Sequence, residues 1–327
     1  MQKSSVDFED FYAKRKAMPP EETSEILVAT ADCKGIPMIP SARPPKGKAK
    51  DKPGLKRMAV VTGVYTVAPR PRSPEDVFES LYRDTSLPRP ANEAEEKGAR
   101  VRPEHKRLAA SLEKGKEVVF RELAEEVARR DPEGVKTKIA LTDGEHALKR
   151  QMVKQLPGAI LILDLIHALG YVRTAAKLLH PKDIPGADQW ARKQTLQILK
   201  GKVSEVVRGL RQSVTKRDLE GDLQKQLLGI SNYLYGNRRQ MRYDQYLANG
   251  YPIATGVIEG GGKNLINDRM ERSGMNWGAK TAEAMVKLRA VYLSGDFAAY
   301  WAFHIAAEQA RIHVPDRWEE LNFVAAK

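Results

Sequence analysis

Cysteine is nearly absent, with one residue, Cys33, in a chain of 327. A lone thiol excludes an internal disulfide framework and any zinc site built on several cysteines. Long apolar runs are absent as well. No stretch approaches the ~20 residues that cross a bilayer. The opening Met1-Gln2-Lys3-Ser4-Ser5-Val6-Asp7 lacks the apolar core of a secretory signal. These absences predict a cytoplasmic protein without a membrane partner. Acids are scarce relative to bases: 42 Asp and Glu stand against 55 Lys and Arg, a net charge of +13 with a pI near 9.6. Such an excess favours a polyanionic partner, most simply nucleic acid, and a generically basic soluble protein is the alternative. The rest is ordinary for a globular chain, 42% hydrophobic and 30% charged, which excludes a disordered polymer and allows a large core.

Residues 1–25 hold a short helix, Phe8 to Lys16, ended by Pro19-Pro20. Ile26 to Ala31 is a β-prone apolar run. Asp32-Cys33-Lys34-Gly35 then carries turn chemistry, with Asp first and Gly fourth. The reading is a strand that ends on Asp32, a turn, and a second extended piece from Ile36 to Ile39. Ser41 to Arg57 is rich in Pro, Gly and Lys and reads as a mobile basic loop. Met58 to Pro69 makes a third strand, so the three predict an antiparallel meander. Ser73-Pro74-Glu75-Asp76 starts a helix, with Ser at the cap and Pro in the first turn. Residues 88–104 read as a polar loop. Lys106 to Arg130 reads as one long helix with Leu108, Leu112, Val118, Val119, Leu123 and Val127 inward.

Lys136 to Thr142 is a strand that ends in Asp143-Gly144, Glu145 to Gln155 is helical, and Ala159 to Leu163 is a strand that ends in Asp164. From there the pattern is helical throughout: 169–179, 194–211, and a third stripe from Leu219 to Leu234, with Arg238, Arg239 and Arg242 at its basic end. Tyr251-Pro252 breaks the run. A helix from Val257 then carries Glu259 and must tolerate Gly260-Gly261-Gly262 at about 1 kcal/mol each. The C-terminal part is helical over 279–293 and 298–311, with Met285, Leu288, Tyr292, Tyr300, Trp301 and Phe303 as core. The expected fold class is α/β: a mixed sheet split between 26–167 and 251–327 by an all-helical insertion, 168–250, and closed by C-terminal helices.

Three acids fall at element ends: Asp32, Asp143 and Glu259. Adjacent strands would put the two Asp carboxylates on one sheet edge, and a returning helix could bring Glu259 over them. Carboxylates gathered this way suit Mg²⁺ or Mn²⁺, and two such ions can serve a phosphodiester reaction. Asp32 taken alone reads first as a turn-former. Asp143 with Asp164 is an alternative pair, and His167 is either a packed histidine or an auxiliary group. Lys263, Arg269 and Arg272 could hold phosphates or merely be solvated, and Trp277 is core or a base-stacking residue.

These residues sit in blocks with a wider resemblance: Ala-Asp-Cys-Lys-Gly-Ile-Pro-Met at 31–38, Gly-Val-Tyr at 63–65 and Leu-Thr-Asp-Gly-Glu at 141–145. Further blocks are Ile-Leu-Asp-Leu-Ile-His-Ala-Leu at 162–169, Tyr-Pro-Ile-Ala-Thr-Gly-Val-Ile-Glu-Gly at 251–260, Asp-Arg-Met-Glu-Arg-Ser-Gly-Met-Asn-Trp at 268–277 and Leu-Arg-Ala-Val-Tyr-Leu-Ser-Gly-Asp at 288–296. Through them the chain resembles the DDE transposases of bacterial insertion sequences, in the Kra-type group related to the mutator-like transposases. The resemblance implies an RNase H-like fold with a helical insertion before the catalytic Glu. It also implies Asp32, Asp143 and Glu259 as a metal-binding triad, with Asp164 and His167 in an auxiliary Asp/Cys-x-x-His motif. Its implied partners are double-stranded DNA, at element terminal repeats and target, and further copies of the chain on that DNA in a nucleoid-associated complex. Cys33 stands where relatives usually carry Gly, and about 25 residues precede the first strand where they usually have more. The expectation is therefore an active transposase, with a truncated DNA-binding remnant and a general RNase H-like nuclease as alternatives.

Overall fold

Among the described residues, five strands are built from the β-branched and apolar runs: β1 (Ile26–Pro37), β2 (Lys56–Val67), β3 (Glu104–Ser111), β4 (Thr137–Thr142) and β5 (Ile160–Leu163). They form one mixed sheet in the order β3-β2-β1-β4-β5. β1 pairs antiparallel with β2 and parallel with β4, β2 pairs antiparallel with β3, and β4 pairs parallel with β5. The structure is a computed structural model that describes residues 1–44, 55–83, 101–254 and 263–312.

Helices α1 (Phe8–Lys14), α2 (Pro74–Tyr82), α3 (Lys116–Arg130) and α4 (His146–Gln155) accompany the strands. A helical series follows: α5 (Leu165–Leu179), α6 (Ile184–Leu199), α7 (Val203–Lys216), α8 (Gly221–Asn237) and α9 (Tyr243–Ala248). The described residues end with α10 (Ala279–Ser294) and α11 (Phe297–Ile312). Period-two alternation along β1 decides the layers. Leu27, Ala29 and Ala31 pack on one face with Val119, Phe120 and Leu123 of α3 and Leu148 and Met152 of α4. Ile26 and Val28 face the other way, toward α5 and the helical series. Ile36, further along that same face, packs with Val286 and Ala290 of α10. The result is an α/β architecture with helices on both sides of the sheet, as its apolar strands require.

The pattern-based reading holds for the all-helical stretch after β5 and for the cap of α2. There Ser73 Oγ accepts from the Asp76 amide at 3.1 Å, and Asp76 accepts in return from the Ser73 amide at 2.9 Å. Several expectations are corrected. The turn at Asp32–Gly35 does not form. β1 runs through it, because β2 pairs with it residue for residue from Ile26↔Val67 to Pro37↔Lys56, and that ladder outweighs the local turn preference. The long helix expected over 106–130 is β3 followed by α3. Its first part pairs along the far edge of β2, from Val60↔Ser111 to Thr66↔Glu104, so that backbone groups on that side of β2 find partners. The helix expected over 194–211 is two, α6 and α7, joined through Gly201. Tyr292 and Trp301, expected in the core, are 68% and 40% exposed, while Tyr300 is fully buried. Trp277 is partly buried against the core: its indole N–H donates to the Met270 carbonyl at 3.1 Å, and its backbone bridges to Met38. The helix expected from Val257, its three glycines and Glu259 lie outside the described residues.

Candidate functional site

Parallel register places three carboxylates in a row. Ala31 of β1 pairs with Thr142 of β4, and Thr142 pairs with Leu163 of β5. The next residue on each strand is an aspartate: Asp32, Asp143 and Asp164. Neighbouring strands lie about 4.8 Å apart, so the three sit side by side where β4 and β5 stop and β1 continues. The last rung is the Asp164 amide donating to the Thr142 carbonyl at 2.8 Å.

Local structure holds each carboxylate differently. Asp32 is 8% exposed. Its Oδ1 accepts from the Cys33 amide at 2.7 Å, and its Oδ2 pairs with Lys34 Nζ at 2.8 Å. Lys34 reaches it because residues two apart on a strand share a face. Asp143 Oδ1 accepts from the Glu145 amide at 2.8 Å. Gly144 makes that bend possible: its φ is +84°, and a Cβ there would lie 2.7 Å from Leu163 Cδ1 and 2.8 Å from the Tyr233 hydroxyl oxygen. Tyr233 of α8 donates to the Asp143 carbonyl at 2.6 Å and stacks on Tyr171 of α5, which ties the helical series to the end of β4. Asp164 is 1% exposed and caps α5, with Oδ1 accepting from the Ile166 and His167 amides at 2.7 and 3.3 Å. His167 Nδ1 lies 3.9 Å from that oxygen, an ion-pair contact and too long for a hydrogen bond.

The electrostatics couple the row. Burial pushes the Asp143 carboxyl above its ordinary value and Asp32 adds to the rise, while the Glu145 amide and His167 oppose it. Asp164 holds the His167 imidazole above its ordinary value against the opposing effect of burial, with Asp143 and Asp32 adding. Burial pushes the Cys33 thiol up to about 11, so it is no thiolate nucleophile near neutral pH. Lys116 pairs with Glu145 at 2.6 Å on the rim and carries positive charge toward Asp143 and Cys33. Asp32 and Asp143 are electrostatically coupled oxygen donors, of the type hard divalent cations take, with Lys116 on their rim. Among the described residues, no three ligand atoms of this row lie within 4.8 Å of one another.

The structure therefore brings Asp32, Asp143, Asp164 and His167 together. Glu259 lies outside the described residues. Lys263 opens a π-helical turn, Lys263–Asn267. Arg269 is exposed, and Arg272 contacts Asp268 at 3.4 Å. Sequence reasoning missed Lys34, Lys116 and Tyr233. Lys34 and Glu145 lie inside the Asp-containing blocks and could have been marked there. Lys116 and Tyr233 come from elements remote in sequence and carried no signal. A second polar group, Asp7, His304 and Glu308, joins the N-terminus to α11. Arg311 pairs with both of its carboxylates, so its positive charge is already supplied from within the chain. No protein-family model matches this chain, and no curated protein matches it.

Proposed function

We propose that this chain is a metal-dependent DNA-cleaving and strand-joining enzyme of RNase H-like fold, a DDE-type transposase acting on the ends of an insertion element. The observation that carries the proposal is the aspartate row at the ends of β1, β4 and β5, whose members stand in the blocks the resemblance marks. The sheet order β3-β2-β1-β4-β5 and the helical series after β5 support the fold reading. The donor set is oxygen only, as Mg²⁺ or Mn²⁺ prefers, and burial beside Asp32 leaves the Asp143 carboxylate short of positive charge. Asp32 and Asp143 would hold the ion, with Glu259 as the third carboxylate. A bound divalent ion supplies Lewis acidity at a phosphodiester. Asp164, buried and committed to the cap of α5, orients His167 rather than touching substrate. His167, biased toward its cationic form, offers a proton or a positive charge at the mouth of the row. Lys263, Arg269 and Arg272 are proposed as phosphate contacts for double-stranded DNA.

The test is Mg²⁺-dependent nicking of a labelled duplex that carries the element's terminal repeat. Wild type is expected to nick it, and Asp143→Asn to lose activity on the order of 10³-fold, the scale of removing one electrostatic catalytic contact. Equal activity in both proteins refutes the proposal. Nicking indifferent to the repeat assigns a general nuclease instead.

A further inference from the structure

The chain's positive charge is not spread evenly. Residues 168–250 carry 15 Lys and Arg against seven Asp and Glu, or +8 of the total +13, in about a quarter of the length. Within that segment α7 is two-faced. Val203, Val206, Val207, Leu210 and Val214 are buried. Arg208, Arg211, Gln212, Thr215 and Lys216, on the other side, are exposed. With Tyr235 of α8 they line a groove of about 490 Å³ that has no acid in its lining. Arg208 and Lys216 have no ion-pair partner among the described residues, whereas Lys114, Lys116, Lys154 and Lys200 elsewhere on the surface are each matched to a glutamate. Arg208 and Arg211, three residues apart, are like-charge neighbours on the helix surface.

We infer that the α7–α8 groove is a docking surface for the phosphodiester backbone of duplex DNA. Charge complementarity selects a polyanion, and the hydroxyl and amide groups of Thr215 and Gln212 are phosphate partners of the kind that position a duplex. The aromatic chemistry argues against an unpaired strand. Tyr235 already carries the Arg238 guanidinium at 3.9 Å and that of Arg211 at 5.4 Å, so its ring is engaged and is a poor platform for stacking bases. α8 also links this groove to the aspartate row. Tyr233 binds the Asp143 carbonyl, and Tyr235, two residues on, faces about 200° away around the helix, a helix width of roughly 10 Å. The groove and the Asp143 contact therefore lie on opposite sides of α8. The choice of DNA as the polyanion rests on the proposed function; the groove's affinity for phosphates does not.

The experiment compares equilibrium binding of a fluorescein-labelled 30-base-pair duplex and the matching single strand at roughly 50 to 300 mM KCl, a range over which phosphate contacts show in the salt slope. The proteins are wild type, Arg208→Glu/Lys216→Glu and a control with the same charge change elsewhere, Lys3→Glu/Lys280→Glu. All four side chains reversed are exposed, so folding should be retained, and circular dichroism checks it. The groove variant should bind duplex about tenfold more weakly, with a salt slope lower by about 2, one unit for each phosphate that is no longer neutralised. The control should weaken much less. Unchanged affinity and slope in the groove variant, or an equal weakening in the control, overturns the inference. A wild type that prefers the single strand, with the weakening confined to it, overturns the duplex assignment. Nicking by wild type together with an unaffected groove variant would sink this inference and leave the catalytic proposal standing, and the reverse pattern would do the opposite.

Discussion

Asp164 is the member of the row whose role the structure separates most sharply, and its substitution can be worked through in numbers. Its Oδ1 accepts two N–H groups at the start of α5, and only 1% of the residue is exposed, so water cannot take over when the side chain is cut back. Removing an Asp cap costs about 0.5–2 kcal/mol, and burial puts this case at the upper end, about 2 kcal/mol for Asp164→Ala. Asn presents an oxygen in the same place, so Asp164→Asn should cost under ~0.5 kcal/mol. Urea unfolding followed by circular dichroism measures both. With a slope of roughly 3 kcal/mol/M, the alanine midpoint should fall by about 0.7 M at unchanged slope. The neutral amide also removes the main influence that raises the His167 pKa. A raised histidine pKa stabilises the fold fully below its unfolded value near 6.5 and loses that contribution as pH rises through the folded value. Asp164→Asn should therefore flatten the pH dependence of stability above 6.5 and bring the imidazole titration, read by NMR, back toward its ordinary position. If Asn destabilises as much as Ala, or Ala not at all, Asp164 is not the cap and positioning group described here.

Four further outcomes follow from the structure. Asp143→Asn, measured with chelator present, should melt no earlier than wild type near neutral pH. Burial and Asp32 raise the Asp143 pKa, so its ionised form costs stability above the folded pKa, and the variant's advantage should vanish as pH falls through the unfolded value of 3.8. Glu126→Gln should cost about 3 kcal/mol or more in chemical denaturation. It leaves Arg107, Arg129 and Arg130 without their shared carboxylate. Burial works to raise the Glu126 pKa, but the three guanidiniums outweigh it, so this stabilisation is present above its unfolded value of 4.5 and is lost as pH falls through the folded one. Gly250→Ala should cost on the order of 3 kcal/mol, because φ is +75° and the new Cβ would lie 2.5 Å from the Arg70 backbone nitrogen. Gly209→Ala in α7, with open space around it, should gain about 0.5–1 kcal/mol in the same melt.

How far the site could be read before the fold was known varies by residue. Asp143 and Asp164 each follow a short apolar run, and a strand of about four to six residues announces its end locally. Asp32 is legible as a residue of interest, but for the wrong local reason. Its four-residue context signals a turn, yet it lies inside a continuous strand whose partner residue, Val61, is far along the chain. Tyr233 and Lys116 have no legible signal. A tyrosine on a helical stripe looks like core until the tertiary contact with the Asp143 carbonyl is known.

Composition and period by themselves determined that the stretch after β5 is helical, the capped start of α2, the apolar runs that become β1, β2, β4 and β5, the basic charge and the absence of a cysteine framework. Among the described residues, no helix is long and apolar enough to cross a membrane. These properties depend on residues within a turn or two of one another, where side-chain spacing acts directly on the backbone. Tertiary structure alone decided that β1 runs through Asp32, that residues 104–111 form a strand, and that the three aspartates fall in one register. It also decided that unmatched cations gather on one groove. Strand pairing satisfies backbone amides with partners distant in the chain, and local preference of about 1 kcal/mol yields to a ladder of such bonds.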